Sequence, residues 1–278
     1  MSKLPLSVNQ LFGCLAETTS NLQINKMAAS VLFACGLNEQ KLPSFIHISE
    51  ESNIDGSFLI SSILGQRLRI SNAGTLLVCL QHNYQHYFNA GMRLGYNCNI
   101  FLGKTLRVID SLNDMAEDFL NSKWLTNECR FTDLLLADIK QQISGNSFTS
   151  RINTTVIIDN LAILYNLGAT KEDIQKFCHN LVALSQEFEN LTIITKMSNC
   201  DIYNIDDNNV AKLGSLHIRV VKLKSGVFRE VDGKLLIKKI QDEADNSYEC
   251  NYSSKEVLYK VNDRNVKIFN PGEIGLKA

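Results

Sequence analysis

PSFIHISEESNIDGSFLISSILGQRLRI, residues 43–70, decides the fold. An apolar segment (Phe45, Ile46, Ile48) reads as a strand, a polar turn follows, and a helix starts at Ser57. In nucleotide-binding α/β proteins such a turn holds the phosphates. It needs glycines for close backbone approach, a lysine for the terminal phosphate oxygens and a Ser or Thr for the metal, spaced GxxxxGK[ST]. With Ser57 on the hydroxyl position, Gly56 stands where the lysine belongs, Asp55 on the second glycine and Glu50 on the first. The ammonium is missing, and Glu50, Glu51 and Asp55 are expected to oppose an anionic ligand. A carboxylate about 4 Å from a phosphate is repelled by about 1–4 kcal/mol, depending on the local dielectric. The turn has the frame of a phosphate loop without its chemistry.

After that turn, Phe58, Leu59, Ile63, Leu64 and Leu68 mark a helix with a wide apolar face, and Asp55 is placed to cap it. Thr75–Leu80 is a continuous apolar run, as in a strand covered on both faces. A helix is predicted over Asn83–Leu94, ended by Gly95. His82 and His86 are four apart, but an HxxxH pair lacks the third ligand and nearby glutamate of a zinc site, so both read as surface histidines. FLGKT, 101–105, ends like a phosphate loop, but Cys98 holds the first glycine position and a strand-like segment follows, so it reads as a turn.

Helices are predicted over Asp110–Asn121 and Arg130–Ile143, then a polar loop at Gly145–Ser147. TTVIIDN, 154–160, is an apolar strand ending in Asp159, the form of a Walker B element whose carboxylate orients magnesium. Without a phosphate-binding lysine, Asp159 reads rather as a cap for the following LAILYNLG. Thr170 opens a long amphipathic helix to Phe188 with Asp173 at the capping-box position. Leu191–Lys196 is a strand, and Met197–Val210 is expected to be a loop carrying Asp201, Asp206 and Asp207. Leu216–Lys224 changes its alternation at Val220-Val221, which suggests a bulge. Asp232-Gly233 suggests a hairpin turn within Gly226–Ile240, and Glu256–Val261 with Asn265–Phe269 a second hairpin.

The chain has 278 residues, is 45% hydrophobic and carries a net charge of -1, an ordinary globular composition. That charge argues against a molecule-wide field for nucleic acid or membranes but leaves local patches open. Lys212–Ile240 is such a patch, with eight cations against two carboxylates, an excess of +6. Arg219, Lys222, Lys224, Arg229 and Lys234 are its candidate RNA-facing residues, the alternative being edge strands kept soluble by lysine. No apolar run approaches the roughly 18 residues of a membrane span, and MSKLPLSVNQ lacks the apolar core of a secretory signal. Eight scattered cysteines without a CxxC pair suggest reduced thiols in a cytoplasmic or nuclear protein. Residues 1–42, with short helices expected around Val8–Glu17 and Lys26–Ala34, read as a helical extension to a domain spanning 43–278.

Strands near 45, 75, 105, 155 and 191, separated by helices, describe a mainly parallel sheet continued by antiparallel hairpins. The turn at 49–57 and the strand ending in Asp159 sit where RecA-type ATPases keep their Walker motifs. IDGSFLISSILGQRLRISNAGTLLVCLQHNYQHYFNAGMRLGYN (54–97) and TTVIIDNLAILYNLG (154–168) resemble the family of sixth subunits of the Elongator complex, and so does the portion after 216. The similarity runs from about Phe45 to Phe269. It implies a RecA-like fold with a degenerate nucleotide site, no catalytic or metal-ligating residue and no cofactor. It also implies a ring of six built with the fourth and fifth Elongator subunits, which binds tRNA and assists wobble-uridine modification by the catalytic core. Within such a ring, Glu50, Glu51 and Asp55 are expected to meet basic groups across a subunit interface. Two other classes stay open at this level: an atypical ATPase or small-molecule kinase using Asp159 with a lysine from elsewhere, and a recombinase-like DNA-binding paralogue.

Overall fold

The computed structural model describes residues 31–126, 129–145, 153–223, 228–240 and 252–272. Strand β1 (Phe45–Glu51) leads through the polar turn to helix α1 (Ser57–Arg69). Then come β2 (Ala73–Cys79), α2 (Tyr84–Arg93), β3 (Leu106–Asp110), α3 (Ser111–Glu117) and α4 (Phe131–Ser144). The chain continues through β4 (Asn153–Ile158), α5 (Lys171–Glu187), β5 (Leu191–Asn199) and α6 (Asn204–Ala211). It ends in β6 (Leu216–Val221), β7 (Gly233–Ile240), β8 (Tyr252–Asn262) and β9 (Asn265–Phe269).

These strands form one nine-stranded sheet, ordered β3-β2-β4-β5-β1-β6-β7-β8-β9. Pairing is parallel from β3 to β6 and antiparallel from β6 to β9. This is the mainly parallel sheet with C-terminal hairpins expected from the order of apolar segments. Both faces are covered along the parallel part, so β2 is buried along its length and shows no alternation. One face packs Ile46, Ile48, Leu77 and Ile194 against α1 and α2; the other packs Phe45, Val156, Ile158 and Ile193 against α4, α5 and α6. The Thr170 capping box forms, its hydroxyl taking the Asp173 N–H and Asp173 taking that of Thr170.

Two glycines explain how closely α1 and α2 approach. Gly65 and Gly91 both face the Tyr96 ring, and a Cβ added to either would lie 2.4 Å and 2.7 Å from it. The Tyr96 hydroxyl donates to the Ser61 carbonyl at 2.6 Å, so the ring is pinned between the helices.

Several sequence expectations are corrected. Residues 31–42 are not outside the α/β core: Val31, Leu32, Leu37 and Leu42 are buried in the α1-side cluster. Buried Arg67 bridges the two, its Nε donating to Thr155 and its terminal nitrogen to the Gln40 carbonyl at 2.9 Å. Residues 1–30, including the Val8–Glu17 helix, lie outside the described residues. Met197–Val210 is not a loop; β5 continues to Asn199 and α6 begins at Asn204. β6 pairs without interruption on both sides, so there is no bulge at Val220-Val221. Asp232-Gly233 is not the hairpin turn either. Phe228 bridges Val231 around Arg229-Glu230, while the Asp232 N–H joins β8 at the Tyr259 carbonyl. A Cβ on Gly233 would lie 2.7 Å from the Val221 carbonyl, so close strand approach, not turn geometry, requires that glycine.

Candidate functional site

The turn after β1 sits at the carboxyl ends of the parallel strands, where open α/β sheets bind ligands. Side chains alternate along β1, so Glu50 shares the face of Ile46 and Ile48 and points toward α1. There it is buried, with 4% of its side chain exposed. Its Oε2 accepts the Gly56 N–H at 2.8 Å and pairs with Lys196 Nζ at 2.8 Å, while Oε1 accepts the Ser198 hydroxyl at 2.5 Å. Lys196 is fully buried on β5 and also donates to Gln81 Oε1 at 2.9 Å. A backbone N–H at a helix start, a lysine and a hydroxyl are the donors a phosphate receives in a nucleotide loop. Here the chain's own carboxylate takes them.

The next N–H is taken too. Ser57 gives both its N–H and its hydroxyl to Asp55, each at 2.8 Å. Asp55 thus serves the start of α1, as the sequence suggests, although the capping position itself is Gly56. Burial works against the Asp55 charge, but the two Ser57 donors, with Lys196 and His82 nearby, hold its carboxyl below the usual range. Glu51 accepts the Lys222 N–H at 2.8 Å. The three carboxylates expected to repel a ligand or meet a neighbour therefore have partners within the chain. Sequence reading missed Lys196, which lies 146 positions from Glu50. The detectable signal was parity, since a glutamate two residues beyond Ile48 on a buried strand needs an internal cation.

Asp159 neither caps the segment after it nor faces open space. Asn160 receives the Ala162 N–H there, at 3.0 Å. Asp159, fully buried, reaches across to β2 and takes the N–H groups of Leu80, Gln81 and His82 at 2.7–3.1 Å and the Tyr87 hydroxyl at 3.1 Å. Burial raises its carboxyl, against the pull of those backbone donors and Lys196. Burial and Asp159 together push the Tyr87 phenol far up. A carboxylate so occupied has no lone pair directed at a magnesium ion. His82 and His86 stack at 4.1 Å, and burial followed by His82 lowers the His86 imidazole.

The RNA-facing candidates are dispersed. Arg219 and Lys234 lie on the face of β6–β9 opposite α1, which also carries Leu236, Lys238, Glu256 and Lys267. Arg219, Lys234 and Leu236 are half-buried there and Lys238, Glu256 and Lys267 are exposed, whereas Leu235, Val257 and Tyr259 on the α1 side are buried. Lys234 pairs with Glu256 at 3.2 Å. Lys222 and Arg229 are exposed at the strand ends, and Lys224 lies outside the described residues. Of the three aspartates in the segment 197–210, Asp206 and Asp207 are buried and Asp201 is exposed. Asp206 takes the Tyr165 hydroxyl at 2.6 Å and pairs with Lys171 at 3.2 Å.

Known proteins resolve the family. A model described as Elongation complex protein 6 matches residues 29–263. The chain belongs to this family of Elongator complex subunits. It is 68% identical to Elongator complex protein 6 of Drosophila melanogaster over 254 residues, covering 91% of this chain and all of that one. The fold matches the crystal structure of a KaiC-like protein from Pyrococcus horikoshii with a TM-score of 0.55 at 9% identity, covering 81% of this chain and 89% of that one. The fold is thus RecA-like. No helix among the described residues is long and apolar enough to cross a membrane.

Proposed function

We propose that this Elongator subunit is a non-catalytic, RecA-like member of an accessory ring of six. It assembles with the fourth and fifth Elongator subunits and supports tRNA binding and wobble-uridine modification by the catalytic core, in the cytoplasm or the nucleus. The observation that carries the non-catalytic reading is the Glu50 carboxylate on Gly56 N–H and Lys196. Among the described residues, Lys196 is the cation that acts on Asp159 and could serve as a lysine from elsewhere for an ATPase or kinase, and it is already paired with Glu50. Titration of the chain with ATP and magnesium is expected to give neither saturable micromolar binding nor turnover; both together would overturn the reading.

For the tRNA role, the support is the family and the cationic excess on β6–β9. The contacts proposed are Arg219, Lys222, Lys224, Arg229 and Lys234, acting on phosphates without reading sequence. Replacing Arg219, Lys222 and Lys224 together by Glu is expected to weaken tRNA binding by the assembled ring. Each phosphate left unneutralised reduces the salt slope of log K by about 0.7–0.9. Unchanged affinity and slope with an intact ring would move the RNA path to the sister subunits.

A further inference from the structure

On the face of the sheet away from Glu50, a second polar cluster lies within an otherwise apolar layer. Thr195, His47 and His217 stand side by side on β5, β1 and β6, since His47 is the register partner of both others. Asp207 of α6 closes over them, and Ser49 lies one step further along β1. His47 and Asp207 are fully buried; His217 is partly so. His47 Nε2 is 2.9 Å from Asp207 Oδ1, and Ser49 Oγ is 2.8 Å from the same oxygen and 2.7 Å from His217 Nε2. One ligand atom from each of His47, Asp207 and His217 lies within 4.8 Å of the others.

We infer that His47, Asp207 and His217 form a binding site for a divalent transition metal such as zinc. Two imidazoles and a carboxylate are the donor set of three-ligand zinc sites, which keep one further position for water. Bonds of 2.0–2.2 Å in a tetrahedron set ligand atoms roughly 3.3 Å apart, so the cluster needs to contract by no more than about 1.5 Å. The outer partners are in place. Thr195 Oγ1 holds His47 Nδ1 at 2.8 Å, leaving Nε2 for a metal, and Asn199 Nδ2 holds Asp207 Oδ2 at 2.7 Å, leaving Oδ1. Such outer hydrogen bonds fix ligand orientation in metal sites. Access is provided by a cleft of about 390 Å³ lined by Ser49, Asn199, Cys200, Asp201 and Arg219. To admit the ion, the Ser49 hydroxyl must turn from between Asp207 and His217 toward that cleft, and any proton held on His47 Nε2 must leave. Bound metal would cross-link β1, β6 and α6.

Without metal the same atoms close as a hydrogen-bonded cluster, and the experiment separates the two. The full chain is freed of metal with a chelator and titrated with Zn²⁺ by calorimetry and with Co²⁺ by visible absorption. One equivalent per chain is expected, at micromolar affinity or tighter, with the intense d–d bands of low-coordinate cobalt. His217→Ala is expected to abolish the bands. Thr195→Val is expected to weaken affinity about 10–100-fold. The double variant His82→Gln/His86→Gln is expected to leave binding unchanged, since that stacked pair lies elsewhere. Should a variant misfold, imidazole nitrogen resonances of the wild-type chain provide the second readout, with two ring systems shifting stoichiometrically on Zn²⁺ addition. Substoichiometric uptake, binding weaker than about 0.1 mM, or binding untouched by His217→Ala would each leave a hydrogen-bonded cluster only and overturn the inference.

Discussion

Replacing Glu50 by Ala tests whether its carboxylate holds Lys196 and the Gly56 N–H in place. The change removes the partner of a lysine that has no exposed surface, and leaves Lys196 with Gln81 Oε1 as its remaining hydrogen-bond partner among the described residues. Breaking a buried pair from one side costs about 3–5 kcal/mol, because the surviving charge stays desolvated. The Gly56 N–H also loses its acceptor, a penalty of about 1–3 kcal/mol that overlaps the first. A net loss of about 4 kcal/mol is expected, a large part of the roughly 5–15 kcal/mol that holds a typical domain. Adding Lys196→Met removes the stranded charge, so the double variant is expected to be more stable than Glu50→Ala alone. Small carboxylates supply a second arm. Formate or acetate entering the vacated space stabilises by RT ln(1 + [L]/Kd), about 1.4 kcal/mol at ten times Kd. Urea unfolding at constant ionic strength, with chloride as the control anion, measures all of these. A Glu50→Ala loss below about 1 kcal/mol, or a double variant at least as damaged as the single, would refute the pairing.

Asp159→Ala is expected to cost about 3 kcal/mol or more in urea unfolding, because three N–H groups and the Tyr87 hydroxyl lose their acceptor; a loss under about 1 kcal/mol would count against that role. Gly65→Ala is expected to destabilise by about 1–3 kcal/mol although Ala favours helices by about 1 kcal/mol, since its methyl meets the Tyr96 ring. Tyr96→Leu in the same chain should recover part of that loss, and a neutral or stabilising Gly65→Ala would show that the ring moves freely. Asp55→Asn removes only the negative charge at the start of α1 and is expected to cost about 0.3–1 kcal/mol at neutral pH. Because the folded Asp55 carboxyl is held low, the wild-type advantage is present above the unfolded carboxylate range and disappears as pH falls through the folded value. An advantage unchanged at acid pH would refute the charged contact with Ser57.

The sheet was legible because parallel strands buried on both faces leave long apolar runs, as Thr75–Leu80 and Val156–Ile158 do. The site was legible only in part. Motif spacing detects a missing lysine at Gly56 but not a lysine supplied by β5, because the pairing of β1 with β5 is tertiary. The same limit applies to Asp159, whose acceptors face β2 and not the segment that follows it in sequence. Asp232-Gly233 misled for the opposite reason: a strong local turn signal was overridden by the closeness of β6 and β8 to Gly233. His47, Thr195, Asp207 and His217 could not be joined by spacing, since three strands and a helix bring them together.

Tracing the hydrogen bonds outward from Glu50 explains why the strand ends hold their arrangement without ligand. Lys196 connects Glu50 to Gln81, and Gln81 accepts from Asn160 at 3.0 Å. Asn160 returns to Ser198 through its amide nitrogen at 2.8 Å, and Ser198 returns to Glu50. Asp159 ties the same end of β4 to the backbone after β2. The carboxyl ends of β1, β2, β4 and β5 are therefore joined in a closed circuit of side chains, with Glu50, Asn160 and Lys196 buried and Gln81 and Ser198 half-buried. In a nucleotide-binding protein, phosphate and metal bridge those ends, and their arrangement changes as the ligand is lost. A circuit of covalently attached groups cannot dissociate, so no step of a nucleotide cycle can open it. Such an edge can present one fixed surface to a neighbouring subunit, which is what the proposed non-catalytic position in a ring requires.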